Sequence, residues 1–228
     1  MKLKLYRFIK RIEDIIFSIL IIIIFTPILI PISIISLFMQ GWPILYVSER
    51  IVGKNKKIKI FKYRTMVKDA KSDKYGLEEK YMKNGYLDIP LETEVYTPIG
   101  RFLEKTQFVE LPQVFLVLTG NLSFIGNRPL PQKNVDILKD KYPNNWDKRF
   151  ESPSGMTGIS QVVGKFQLSP EERLELESLY SEVYKRGNIL KVDAYIFFST
   201  IILLLFNNAV AYRSYESAKN ILLSCLKK

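Results

Sequence analysis

The chain has 228 residues, enough for one core and at most a small appendage, and its 34 Lys and Arg against 23 Asp and Glu leave a formal charge of +11. With no histidine and a single cysteine, Cys225, it excludes imidazole acid–base chemistry, His-dependent triads, His-containing metal sites, and any disulfide framework or cysteine zinc site within one chain. The basic balance suits an anionic membrane surface, phosphate-bearing substrates or nucleic acid, and the lack of a zinc-finger, helix-turn-helix or RNP pattern argues against the last. Any metal has to be a hard cation held by carboxylates and substrate phosphates, which points to Mg²⁺.

The segment from Ile15 to Phe38 carries no charge. As a helix rising about 1.5 Å per residue it is long enough to cross a hydrocarbon core of about 30 Å. Basic residues lie on both sides of it, Lys2, Lys4, Arg7, Lys10 and Arg11 before and Arg50, Lys54, Lys56, Lys57, Lys59, Lys62 and Arg64 after. Lys and Arg mark the cytoplasmic flank, and here both flanks claim it. Pro27 and Pro31 predict a bend, eased by the hydroxyls of Ser18, Thr26 and Ser33. The preferred reading is a re-entrant helix that enters and leaves on one side; a spanning helix and a soluble core helix are the alternatives. A secretory signal peptide fits poorly, since no small-residue cleavage site comes after the apolar run.

Gln40-Gly41-Trp42-Pro43 reads as a turn at the exit, with Trp42 and Tyr46 at headgroup level. Lys56–Tyr63 alternates and predicts a short strand. Residues 67–97 have no clean period and read as a surface excursion or lid. From Pro98, Ile99, Phe102 and Leu103 share a helical face, and Pro112 starts a further helix with Phe115, Leu116 and Leu118 on its apolar side. Gly120–Pro131 and Pro153–Gly158 are loops that together look like a ligand-binding rim. Pro170–Arg186, acidic in its first turn and closed by Gly187, predicts a helix. Ala194–Phe206 is charge-free but short for spanning, so an interfacial helix with Asp193 and Arg213 kept in water is expected.

The fold class expected is α+β and helix-rich: a monotopic membrane protein with a re-entrant N-terminal helix, interfacial amphipathic helices and a small cytosolic catalytic-like domain. Its divisions are a membrane helix with basic flank (1–45), a main domain (46–206) and a C-terminal tail (207–228).

Lys62, Arg64 and Arg128 are the phosphate-site candidates. Lys62 and Arg64, two apart, share one face of a strand, and Arg128 sits in a loop set by Gly126 and Pro129. Glu110, before Leu111-Pro112, falls at an expected helix start, where backbone N–H groups favour a carboxylate; capping alone also explains it. Gly155-Met156-Thr157-Gly158 offers N–H groups and the Thr157 hydroxyl to a phosphate, and a bare turn is equally compatible. Tyr180 and Asp193 are weaker candidates for substrate contact, with a structural role the simpler reading of each.

Taken together, Lys10-Arg11-x-x-Asp14, Glu49-Arg50-x-x-Gly53, Phe61-Lys62-Tyr63-Arg64-Thr65-Met66, Glu110-Leu111-Pro112-Gln113, Gly120-Asn121-Leu122-Ser123-Phe124-Ile125-Gly126-Asn127-Arg128-Pro129 and Gly155-Met156-Thr157-Gly158-x-Ser160-Gln161-Val162 resemble the bacterial sugar transferases of the small monotopic phosphoglycosyl transferase family. The resemblance runs from about Arg7 to Leu205. It implies a cytosolic-face protein of the bacterial inner membrane that initiates a surface glycan from a nucleotide sugar, commonly a UDP-sugar, with undecaprenyl phosphate as acceptor and Mg²⁺ as cofactor. The remaining partners implied are anionic membrane lipids, a second copy of the chain or glycan-assembly proteins, and no nucleic acid. Lys62, Arg64, Arg128, Thr157, Gln161 and Tyr180 are then the expected substrate contacts, and Glu110 the catalytic and metal residue.

The family's nucleophile is an aspartate directly before that glutamate, which attacks the sugar-bearing phosphorus and releases UMP. Here Val109 occupies the position, and valine has no lone pair with which to attack. Asn127 in place of a proline, Glu49 in place of a glutamine, Trp42 in place of a glycine and Pro153-Ser154 in place of a basic-proline pair are further departures. Three functions are compatible with this pattern: sugar-phosphate transfer to a polyprenyl carrier by an altered mechanism, a catalytically silent homologue that binds nucleotide sugar or polyprenyl phosphate as a regulator or scaffold, and direct glycosyl transfer from a nucleotide sugar.

Overall fold

The computed structural model describes residues 2–83, 86–164, 167–206 and 212–227. Helix α1 (Lys2–Gln40) runs unbroken for 39 residues, roughly 58 Å at 1.5 Å per residue. Pro27 and Pro31 lie within it and do not interrupt it. Thr26 and Ser33 donate back to the carbonyls of Ile22 and Leu29, supplying hydrogen bonds beside the turns where proline has none to give.

Next in the chain is a hairpin, β1 (Leu45–Gly53) with β2 (Lys56–Tyr63), antiparallel, with Tyr46 opposite Lys62 and Arg50 opposite Ile58. The predicted strand is β2; its partner β1 was not anticipated. Among the described residues, 67–97 hold short elements, a 3-10 turn (Asp73–Tyr75), α2 (Leu77–Tyr81), β3 (Met82–Lys83) and β4 (Tyr86–Leu87), around a small apolar cluster of Ala70, Leu77, Val95 and Tyr96.

Helix α3 (Pro98–Lys105) is capped by the Thr97 hydroxyl, and buries Ile99 and Leu103 while Phe102 stays exposed. A 3-10 turn, Phe108–Gln113, leads into α4 (Val114–Leu118). The expected apolar side of α4 is corrected: Val114 and Val117 face inward and Phe115 faces out. Strand β5 (Ser123–Ile125) precedes α5 (Gln132–Lys141), and β6 (Gly155–Thr157) precedes α6 (Ile159–Val163).

The two loops expected to form a rim are in fact laced together. β5 and β6 pair in parallel, and the ladder continues as Gly155 N–H to Asn127 O and Gly126 N–H to Thr157 O. A Cβ on Gly155 would lie 2.2 Å from the Gly126 nitrogen, so a side chain there would force the two strands apart.

Helix α7 (Pro170–Arg186) matches the expected range because Ser169 and Glu172 form a capping box and Gly187 closes the end in the left-handed region. Helices α8 (Leu190–Phe206) and α9 (Tyr215–Leu226) complete the main core with α6 and α7, around Leu176, Tyr180, Val183, Ile196 and Leu222. The segment read as a tail therefore carries a core helix: Ala218, Leu222 and Cys225 recur at helical spacing and are buried. Residues 207–211 of that tail lie outside the described residues.

The polarity of α1 is inverted. Its inward stripe is the more polar one, with Lys10, Asp14, Ser18 and Ser36 buried, while Ile12, Ile16, Ile19, Ile23, Ile30 and Ile34 face out. Only 11% of its most apolar 18-residue window is buried, and among the described residues it is the helix long and apolar enough to cross a bilayer. A surface helix in water shows the opposite polarity.

Both ends of α1 are also fixed to the same body. Near the start, Lys10 Nζ and Tyr6 Oη donate to Asp193 at 2.7 and 2.9 Å, Arg11 donates to the Val117 and Leu118 carbonyls at the end of α4, and Asp14 accepts from Phe124 N–H at 2.8 Å. At the far end Gln40 donates to Arg64 O and accepts from Thr97, and Ser33 meets the Tyr63 hydroxyl at 2.7 Å. Asp193 is thus corrected. It is buried beneath α1 rather than kept in water, and also accepts from the fully buried Tyr180 at 2.8 Å. Burial and the Asp193 charge push both the Tyr6 and Tyr180 hydroxyls up, so both stay protonated donors.

Candidate functional site

The 3-10 turn Phe108–Gln113 packs along β2 and sets Glu110 in its first turn. Glu110 Oε1 accepts from Arg128 Nη2 at 2.8 Å, with the two side chains 27% and 32% exposed. That degree of exposure leaves the pair open to a ligand. Arg50 belongs to the same charge cluster: burial first and Arg128 second push its guanidinium pKa down, while Tyr46 and Glu110 oppose them. Cross-strand pairing puts Tyr46, Arg50 and Lys62 on one face of the hairpin. One carboxylate is therefore paired with Arg128, with the Arg50 charge in the same field and Lys62 further along the hairpin face that carries Arg50. Such a surplus of positive charge suits a doubly charged phosphate.

The loop that carries Arg128 is held from beneath. Arg149 Nη2 donates to the Arg128 carbonyl at 2.8 Å, and its Nε donates to Glu177 at 2.6 Å in a pair with side-chain exposures of 0% and 1%. Ser160 donates to the other Glu177 oxygen at 2.8 Å. Asn127 places its amide on the Arg149 and Glu177 carbonyls at 2.7 and 2.9 Å, a clamp that proline could not supply. The asparagine at this position thus has a structural role of its own.

Several expected site residues turn out to be occupied elsewhere. Arg64 lies just past β2, its guanidinium on the carbonyls of Gln40, Gly41 and Pro43, where it caps the carboxyl end of α1. Thr157 pairs with the Thr200 hydroxyl at 2.8 Å, Gln161 donates to the Met156 carbonyl at 2.7 Å, and Tyr180 is fully buried on Asp193. The contact expected of Tyr180 with substrate is corrected, because no ligand in solvent can reach it. Gly155–Gly158 is likewise no open phosphate nest, since the Gly155 N–H is spent on the strand ladder.

Sequence reasoning missed Arg50, whose only signal was its place in Glu49-Arg50-x-x-Gly53, and the buried Arg149–Glu177 pair, whose members lie 28 residues apart with no local pattern to join them. Val109 is 2% exposed and packs with Ile32, Tyr63, Ile99 and Leu103. Among the described residues, no group of three or more His, Cys, Asp or Glu gathers as a metal cluster.

A lipid-coloured helix bound at both ends to a helical body, beside a carboxylate among cations, is the make-up of a membrane-associated protein with an anion-accepting surface. The chain belongs to the bacterial sugar transferase family, which its residues 5–207 match. Among its relatives, a UDP-galactose-lipid carrier transferase of Erwinia amylovora is 32% identical over 86% of this chain and 40% of its own length. An undecaprenyl-phosphate galactose phosphotransferase of Salmonella typhimurium is 30% identical over 82% of this chain and 39% of its own. The chain thus spans about two fifths of those proteins. The exopolysaccharide production protein ExoY of Sinorhizobium fredii, 27% identical, is matched over 84% of this chain and 83% of its own length.

Proposed function

We propose that the protein transfers a sugar phosphate from a UDP-sugar to undecaprenyl phosphate at the cytosolic face of the bacterial inner membrane, without an aspartyl intermediate. The observation that carries this reading is the partly exposed Glu110–Arg128 ion pair, with the Arg50 charge in the same field. An oxygen of the lipid phosphate attacks the sugar-bearing phosphorus, the new P–O bond forms, and the bond to the other phosphate breaks to release UMP. Two anions have to meet for this, so Arg50 and Arg128 neutralise the entering phosphates and hold them in line. One carboxylate suits Mg²⁺, which is held by one or two carboxylates together with substrate phosphates, and Glu110 would be that ligand. Bound there, Mg²⁺ would supply further charge neutralisation.

The packing of Val109 in an apolar cluster favours one second reading, a homologue that binds nucleotide sugar or polyprenyl phosphate without turnover. Purified protein in nanodiscs, given Mg²⁺, undecaprenyl phosphate and a panel of UDP-sugars, separates the two. Lipid-dependent UMP release is expected. Binding without product would support the silent reading, and UDP release would mean direct glycosyl transfer; either result overturns the proposal.

Membrane attachment is proposed to be monotopic. A helix tied at Lys10, Arg11 and Asp14 and again at Ser33 and Gln40 to one body cannot place its two ends across a bilayer without dragging that body with it. Exposed Phe102, Phe115, Phe198, Leu204 and Leu205, on elements that flank α1, extend the apolar surface. In a Cys225→Ser background, single cysteines at Lys4 and Lys57 are expected to react with an impermeant maleimide from the cytosolic side only. Reaction of the two from opposite sides would refute the monotopic topology.

A further inference from the structure

A groove of about 280 Å³ opens between the first turns of α1, the turn of the β1–β2 hairpin and the α4–β5 connection. Arg7, Lys10, Arg11 and Lys56 line it, against the single carboxylate of Asp14. Two of these cations are already used, Lys10 on Asp193 and Arg11 on the carbonyls of α4. Arg7 and Lys56 are exposed, and among the described residues neither meets a carboxylate; Arg7 rests over the Tyr184 ring, 5.6 Å from its centroid. Asp14 accepts from Phe124 N–H and Ser123 Oγ, so its charge is partly satisfied from within. Asn121 and Ser154 add neutral polar groups to the wall.

The groove also has a fixed relation to lipid. Leu5, Phe8 and Ile12 are exposed on the turns of α1 that carry Arg7 and Arg11, at 60%, 64% and 40%. With those side chains among acyl chains, Arg7 lies at the level of lipid phosphates.

We propose that this groove is a second anion site, separate from the Glu110–Arg128 cluster, that takes the phosphate of a phosphate-bearing headgroup between Arg7 and Lys56. An arginine fork with a mobile ammonium beside it fits the tetrahedral oxygens of a phosphodiester or phosphomonoester, and the volume admits a headgroup rather than a nucleotide sugar. The phosphate comes either from a bilayer lipid or from a free phosphate compound. The proposal is independent of the transfer reaction.

Calorimetric titration of the full chain in dodecyl maltoside micelles, which carry no phosphate, with dihexanoyl phosphatidylglycerol, and separately with inorganic phosphate, distinguishes the sources. The Arg7→Ser/Lys56→Ser double variant is expected to weaken binding about fivefold or more, the loss of two exposed charges. Arg7→Lys/Lys56→Arg should bind more weakly than the parent but more tightly than the double-serine variant, because both charges remain while the fork beside Tyr184 is displaced. A loss confined to the lipid identifies a headgroup site, and a loss for both probes an inorganic-phosphate-competent one. Unchanged binding of both anions by a correctly folded double-serine variant, or no saturable binding by the parent, would overturn the proposal.

Discussion

Asp193→Ala is expected to cost about 3–5 kcal/mol of folding stability, the range for removing one partner of a buried ion pair. Lys10 is left 5% exposed without its counter-charge, and the hydroxyls of Tyr6 and Tyr180 lose the oxygens they donate to. Because that carboxylate ties the first turns of α1 to α7 and α8, the loss should also free the N-terminal residues to protease before the body unfolds. Denaturant unfolding in detergent, read beside limited proteolysis, measures both. A change under about 1 kcal/mol would show that Asp193 is not the anchor of α1.

Glu177→Ala belongs in the same range of about 3–5 kcal/mol, since it strands the guanidinium of Arg149 in the interior. Its compensated counterpart is more informative. Replacing both members, Glu177→Leu with Arg149→Met, removes the stranded charge and should recover most of the stability. The Arg128 carbonyl still loses its bond from Arg149, so nucleotide-sugar binding is expected to stay about tenfold weaker, the equivalent of one hydrogen bond to a charged group. Recovery of stability and binding together would mean that the pair only supports the fold and does not position Arg128.

How much of this could be seen in the sequence depended on whether the deciding forces were local. α7 was legible to its ends because Ser169, Pro170, Glu172 and Gly187 set its caps within the segment itself. β2 was legible from its alternation, whereas β1, half-exposed along both faces, left no pattern to read. Asp193 was misplaced because its partners, Tyr6 and Lys10, are 187 and 183 residues away. The β5–β6 pairing and the Asn127 clamp were hidden for the same reason: they depend on backbone contact between loops distant in sequence. Of the site, Glu110 and Arg128 were singled out from residue chemistry, and the structure joins them at 2.8 Å. Arg64 had an equally good chemical claim, yet the unsatisfied carbonyls at the end of α1 took it first.

Lipid-dependent UMP release by Glu110→Gln, compared with the parent in nanodiscs at saturating Mg²⁺, tests the site most directly. Glutamine keeps the shape and one oxygen for Arg128 but removes the charge. A rate lowered about 100-fold or more is expected, the scale of one lost electrostatic contribution to a charged transition state. A variant that releases UMP within about twofold of the parent would contradict a catalytic carboxylate at Glu110.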